Sequence, residues 1–160
     1  MREDDLPAVG EIAAQLHPAY PEDGRIFAER LQLYPNGCLV LEMNDSVLGY
    51  VISHPWRHRQ PPTLNSLLQI LPVRPSTYYI HDVALLPTAR GLGAVTQLMS
   101  RLSRIAQDDG LLTLSLVAVN GSREFWSRQG FVAIDDPALE EKLNSYDLAA
   151  RFLCKDLAAS

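Results

Sequence analysis

With 160 residues, 47% hydrophobic and 21% charged, the chain reads as one ordinary globular domain, able to bury about 70% of the surface its unfolded form exposes. A net charge of -5 disfavours sequence-independent nucleic-acid binding, and no apolar run approaches the roughly 20 residues of a membrane span. Cys38 and Cys154 are too few for a disulfide framework or a zinc site, and the acidic start Met1-Arg2-Glu3-Asp4-Asp5 lacks the marks of a secretory signal, so both cysteines read as buried small hydrophobes and the expected location is the cytoplasm.

Leu6, Val9, Ile12, Ala13 and Leu16 recur at helical spacing behind Asp4 or Asp5 as cap, with Pro7 in the first turn, and predict a helix over 4–16. A second helix is expected over about 25–34, between Gly24 and the stop signal Pro35-Asn36-Gly37. Residues 38–43 and 47–53 are rich in strand formers and are joined by Asn44-Asp45-Ser46, an antiparallel hairpin in which Gly49 marks a bulge. Residues 54–77 break the pattern with five prolines around the apolar patch Leu67-Leu68-Ile70-Leu71. So long a loop is either the shaping wall of a substrate mouth, with Trp56, Arg57 and Arg59 as candidate liners, or a packed surface excursion.

Residues 78–86 predict a central strand, and 93–109 a helix whose Val95, Leu98, Met99, Leu102, Ile105 and Ala106 form one apolar stripe ended by Gly110. Residues 111–119 are nearly all apolar, as in a strand covered on both faces. A short helix over 121–129 closes at Gly130, a strand begins at 131–134, and after the break Asp135-Asp136-Pro137 and a charged segment, 148–153 supply the last strand. No repeat or linker divides the chain, so the fold class is a single mixed α/β domain.

The chemistry concentrates where the central strand meets its helix, at Arg90-Gly91-Leu92-Gly93-Ala94-Val95. Amides at a helix start lack intrahelical partners and sit at the positive end of the dipole, so a glycine loop there suits a diphosphate. A nucleotide P-loop needs Lys and then Ser or Thr after its last glycine, but the only lysines are Lys142 and Lys155. A dinucleotide fingerprint needs glycine where Thr96 stands and an acidic residue further on, whereas Asp108 and Asp109 fall at the helix end.

The remaining pattern, Arg-x-x-Gly after a strand ending in Leu-x-Pro, resembles the acyl-CoA site of the GNAT superfamily of N-acyltransferases, whose loop reads Gln/Arg-x-x-Gly-x-Gly/Ala. Arg90 and Gly93 match its first two fixed positions, and Val95 departs from the third. The resemblance spans most of the chain, including the pair Gly130-Phe131 after the short helix. It implies a mostly antiparallel sheet with one splayed parallel strand pair, flanked by helices. It also implies acetyl-CoA as cofactor, with its pantetheine arm on the backbone of Val83 and Leu85 and its diphosphate on Gly91, Leu92, Gly93, Ala94 and Val95 beside Arg90. The family pattern has a strand before the first helix; here that strand is shortened, supplied differently or absent.

Transfer to an amine requires a neutral nitrogen, yet an alkylamine of pKa about 10.4 is protonated at pH 7, so a base must take a proton. His81 is the candidate, since an imidazole titrates near working pH; a core histidine is the alternative. Strand alternation places His81 on one face with Tyr79, Val83 and Leu85, and Asp82 on the other. Its location is similar to that of the strand histidines used as bases in arylalkylamine N-acetyltransferases.

Where the family has a tyrosine that protonates the departing thiolate, four residues before Gly130, this chain has Trp126, so Tyr79, a second tyrosine or water must serve. Asn120, Ser122 and Trp126 are expected to face CoA, although Asn120 and Ser122 equally suit helix capping. No metal site is expected. The reading is therefore an acetyl-CoA-dependent N-acetyltransferase acting on a small aromatic amine or polyamine by direct attack. A protein amino group as acceptor and a non-catalytic acyl-CoA sensor are its alternatives, and a homodimer is compatible with it.

Overall fold

The structure, a computed structural model, describes residues 1–144 and 146–158. Helices α1 (Leu6–Leu16) and α2 (Gly24–Leu33) precede strands β1 (Cys38–Met43) and β2 (Ser46–Trp56). After a long excursion come strand β3 (Thr77–Leu85), helix α3 (Ala94–Asp108), strand β4 (Thr113–Ala118) and helix α4 (Arg123–Arg128). Strand β5 (Val132–Ala133), helix α5 (Pro137–Asn144) and strand β6 (Arg151–Asp156) complete the chain. The strands form one sheet in the order β1-β2-β3-β4-β6-β5, antiparallel at every junction except β3 with β4. No strand precedes α1 among the described residues, and the amine of Met1 donates to the Cys38 carbonyl at 3.1 Å.

Local chemistry accounts for most boundaries. Asn44 and Asp45 both take positive φ, 49° and 58°, as a two-residue hairpin turn between right-twisted strands requires. The bulge expected near Gly49 is there: Leu41 faces Gly49 while Glu42 faces Val47, leaving Leu48 unpaired. Gly49 also admits β3, because a Cβ on it would stand 2.7 Å from the Ala84 carbonyl oxygen.

The helices cover both faces of the sheet. The α3 stripe packs with Trp126 and Phe131 against Val51, Tyr78, Ile80, Leu114 and Leu116. On the other face α1 and α2 bury Val9, Ile12, Phe27 and Leu31 against Tyr50, Ile52 and Ala84, while α5 buries Leu139 and Leu143 near Tyr79 and Phe152. Helix α5 lies in the segment read from sequence as a charged break. Only Leu139 and Leu143 mark its apolar side, and its start signal is local: Asp136 Oδ1 accepts from the Ala138 amide at 3.0 Å ahead of Pro137. Cys38 is buried, but Cys154 is only half-buried, contrary to expectation.

Two irregularities in β3 create the site. First, β3 and β4 pair only at Tyr78, Tyr79 and Ile80 against Leu114, Ser115 and Leu116, so the parallel strands part beyond Ile80. Second, Ile52 faces Asp82 while Ser53 faces Ile80, which leaves His81 as an extra residue on β3. That bulge overturns the expected alternation. Ile80 and Val83 both pack toward α3, whereas Asp82 shares the α1 side with Ile52, Ala84 and Tyr79. Val83 is therefore not on the face of Tyr79, and Asp82 is not opposite it, because one inserted residue shifts the two-residue period by one.

Candidate functional site

Beyond the fork, β3 offers main chain to the gap. The Leu86 amide donates to Leu48 O at 2.8 Å, and the Ala84 carbonyl approaches Gly49, so even-numbered residues turn their backbone groups toward β2. Val83 and Leu85 accordingly turn theirs away from β2, into the opening between the strands. The Val83 carbonyl already accepts from His17 Nε2 at 3.2 Å, and the same nitrogen lies 3.1 Å from Asp82 Oδ1. Hydrogen bonding to Asp82 raises the pKa of His17 above its usual value, and the second Asp82 oxygen accepts from the buried Tyr50 hydroxyl at 2.5 Å.

The chain then bends through the short turn Pro87–Ala89 into the glycine loop. Gly91 and Gly93 take φ of 78° and 71°, and a Cβ at either would meet nothing within 4 Å. Backbone conformation, not crowding, therefore demands glycine here, and the loop stays open above its own amides. The first backbone bond into α3 runs from the Gln97 amide to Gly93 O at 3.1 Å, so the amides of Ala94, Val95 and Thr96 have no intrahelical partner. Val95, at the departing motif position, packs its side chain into the α3 core.

One cavity of about 710 Å³ crosses the sheet at the fork. Val83, Leu85, Arg90, Gly91, Val95, Asn120, Ser122 and Trp126 line it, together with Tyr79 and His81. Leu92, Gly93 and Ala94 are not among its lining residues and form the rest of the loop beside it.

The other mouth is built from side chains that are remote in sequence. His81 Nε2 lies 2.7 Å from Glu22 Oε1, with the two side chains only 5% and 6% exposed. Since a carboxylate only accepts, Nε2 carries a proton in this contact, which leaves Nδ1 as the ring nitrogen with no partner among the described residues. Tyr79 sits beside it, ring centroids 6.4 Å apart, and its hydroxyl likewise has no partner among the described residues. Burial drives the Tyr79 pKa well upward and keeps the phenol protonated. His54, 6.5 Å from His81, is pushed down to about 3 by burial and stays neutral.

Pro62, Leu64 and Tyr146 form the apolar wall, and Tyr20 reaches across to Asp147 Oδ2 at 3.0 Å. The Pro-rich excursion thus borders the mouth, but through Pro62 and Leu64. Trp56 and Arg57 line a separate cleft, and Arg59 pairs with Asp136 at 3.3 Å.

The sequence matches the acetyltransferase (GNAT) family over residues 6–131. The chain belongs to that family. No curated protein matches it significantly by sequence. Its GNAT fold is shared by the loading GNATL domain of CurA from Lyngbya majuscula, at TM-score 0.76 and 14% identity over 98% of this chain and 95% of that one. Ard1 from Thermoplasma volcanium is similar at TM-score 0.71 and 14% identity, covering 98% of this chain and 94% of that one. Naa50 from Arabidopsis thaliana, solved with a bisubstrate analogue of CoA and a peptide, gives TM-score 0.69 and 15% identity, covering 98% and 95%.

The family's CoA donor fits what this chain presents: main chain turned into a fork, then a glycine loop with open amides and a cation at its start. Against the GNAT pattern, Trp126 is the clear chemical departure. It is 9% exposed and wedged between Phe125 and Phe131, with ring centroids at 5.0 and 5.4 Å. An indole there is a wall of the cavity and no practical source of a proton.

Sequence reading missed Glu22, His17, Tyr20 and Tyr146. None lies in a recognisable motif; the only local signal at Glu22 is its place in the turn Pro21-Glu22-Asp23-Gly24 between two helices.

Proposed function

We propose that this GNAT protein transfers an acetyl group from acetyl-CoA to a primary amine on an aromatic or other apolar stem, with His81 as the base. One observation carries this: a single cavity joins the glycine loop on one side of the sheet to a buried imidazole with a free Nδ1 on the other. Acetyl-CoA supplies an activated thioester carbonyl, whose C–S bond breaks as the C–N bond to the amine forms.

On the donor side, Arg90 and the amides at the start of α3 hold the diphosphate, and Val83 and Leu85 offer backbone partners to the amide-bearing arm. Asn120, Ser122 and Trp126 border the arm where α4 begins. On the acceptor side, His81 Nδ1 receives the proton that the amine sheds, and the Glu22 carboxylate steadies the positive ring that results. Tyr79 presents a protonated hydroxyl to the same cavity and can return a proton to the departing sulfur. Pro62, Leu64, Tyr79 and Tyr146 give the amine an apolar surround, which favours an aromatic stem over a polyamine.

Thiol release from acetyl-CoA, measured across arylalkylamines, polyamines and short peptides with free α-amines, tests the reading. Arylalkylamines should turn over fastest. Turnover of peptides alone moves the acceptor to a protein amino group, and CoA binding without turnover on any amine makes the protein a sensor.

A further inference from the structure

Glu22 is not held by its own segment alone. Its Oε2 accepts from the main-chain amide of Asn65 at 3.2 Å, a residue of the excursion between β2 and β3. Asn65 in turn accepts, through Oδ1, from the Asp23 amide at 2.8 Å, so the loop and the α1–α2 turn clasp each other on either side of the carboxylate. Asn65 sits at φ 53°, a left-handed conformation that asparagine tolerates better than most residues.

The segment after it is bolted to α2. Ser66 O accepts from Arg30 Nη2 at 3.1 Å, and the Leu68 and Gln69 amides donate to Glu29 at 2.7 and 2.9 Å. Arg30 and Glu29 are themselves paired at 2.6 Å, with the Arg30 side chain 1% exposed. Such anchoring exceeds what an excursion that merely connects two strands needs.

We propose that Asn65 is a positioning residue for the base: it fixes the Glu22 carboxylate, and Glu22 fixes the Nε2–H tautomer of His81 that leaves Nδ1 free for the amine. The proposal rests on the function assigned above to His81, but its first readout needs no turnover. A neutral imidazole in water populates both tautomers; one whose Nε2–H is committed to a carboxylate populates one.

The experiment is ¹⁵N spectroscopy of histidine-labelled protein at a pH where His81 is neutral, its signals assigned by their loss in His81→Gln. The parent should show the Nε2–H form alone. Glu22→Gln should give a mixture. Asn65→Gly, which keeps the left-handed backbone and its amide but loses the Oδ1 tie to Asp23, should move part of the way.

In the amine assay, Asn65→Gly should lower kcat about tenfold with KM for acetyl-CoA unchanged, as expected when a base is loosened by a fraction of an ångström. A pure loop-folding role would lower the melting temperature without moving the tautomer. An unmoved His81 spectrum in Asn65→Gly overturns the proposal, even if amines are acetylated. A moved spectrum in both variants upholds the positioning, even if no amine reacts and the assigned function falls.

Discussion

The two mouths of the cavity are made of different material. On the α3 side the groups on offer are main-chain amides and carbonyls of one continuous stretch from Val83 to Val95, presented because a strand loses its neighbour and a helix begins. On the α1 side they are the side chains of Glu22, Tyr79, His81 and Tyr146, delivered by three separate segments. A diphosphate and an amide-bearing arm need only backbone geometry, which glycines and a fork supply in any sequence context. An amine that must give up a proton needs a particular imidazole in a particular tautomer, and that takes several distant partners.

The sharpest way to break this contrast is to remove the imidazole. His81→Ala should lower turnover about 100-fold near neutral pH, the scale of one general base, while CoA affinity stays at the parent level. The deficit should shrink at high pH, where more of the amine is already neutral. A pH–rate profile parallel to the parent's would remove His81 as base, and a parallel loss of CoA affinity would mean that the two mouths are not separable.

On the other side, Arg90→Ala combined with Gly93→Val takes away the cation and forces a β-branched residue to φ 71°. CoA Kd, followed by calorimetry, should rise about tenfold from the lost charge-assisted contact and the strained loop together. The His81 spectrum should not respond. Unchanged affinity in the double variant would sink the loop assignment.

The same contrast explains what could be read before any coordinates. The loop Arg90–Val95, the α3 stripe and Gly130-Phe131 are local patterns whose geometry follows from spacing, so the loop-to-helix conformation and the fold class were legible together. The bulge at His81 was not: nothing in Tyr79-Ile80-His81-Asp82 marks an extra residue, and simple alternation put Val83 with Tyr79 and Asp82 opposite. The error comes from pairing with β2, a long-range property. Glu22 and Asn65 were invisible for the same reason, since 59 residues separate His81 from its carboxylate. Helix α5 went unread because two leucines behind Asp136-Pro137 resemble a turn as much as a capped helix.

His17 stands where the two regions meet, with its Nε2 shared between Asp82 on the α1 face and the Val83 carbonyl in the fork. Its pKa is raised in the folded protein, chiefly by the hydrogen bond to Asp82, so folding favours its protonated form. The resulting stabilisation is fully present below the ordinary histidine value of about 6.5 and is lost as pH climbs through the raised folded value.

His17→Gln keeps a donor for Val83 but gives up the charge. The variant should therefore melt a few degrees below the parent at pH 5.5, and the gap should close at pH 9; partial exposure of the pair keeps the effect small. A gap that is the same at both pH values would mean that packing, not charge, is what His17 contributes. The joint between donor and acceptor sides would then be indifferent to protonation, and pH dependence in turnover would have to come from the acceptor side alone.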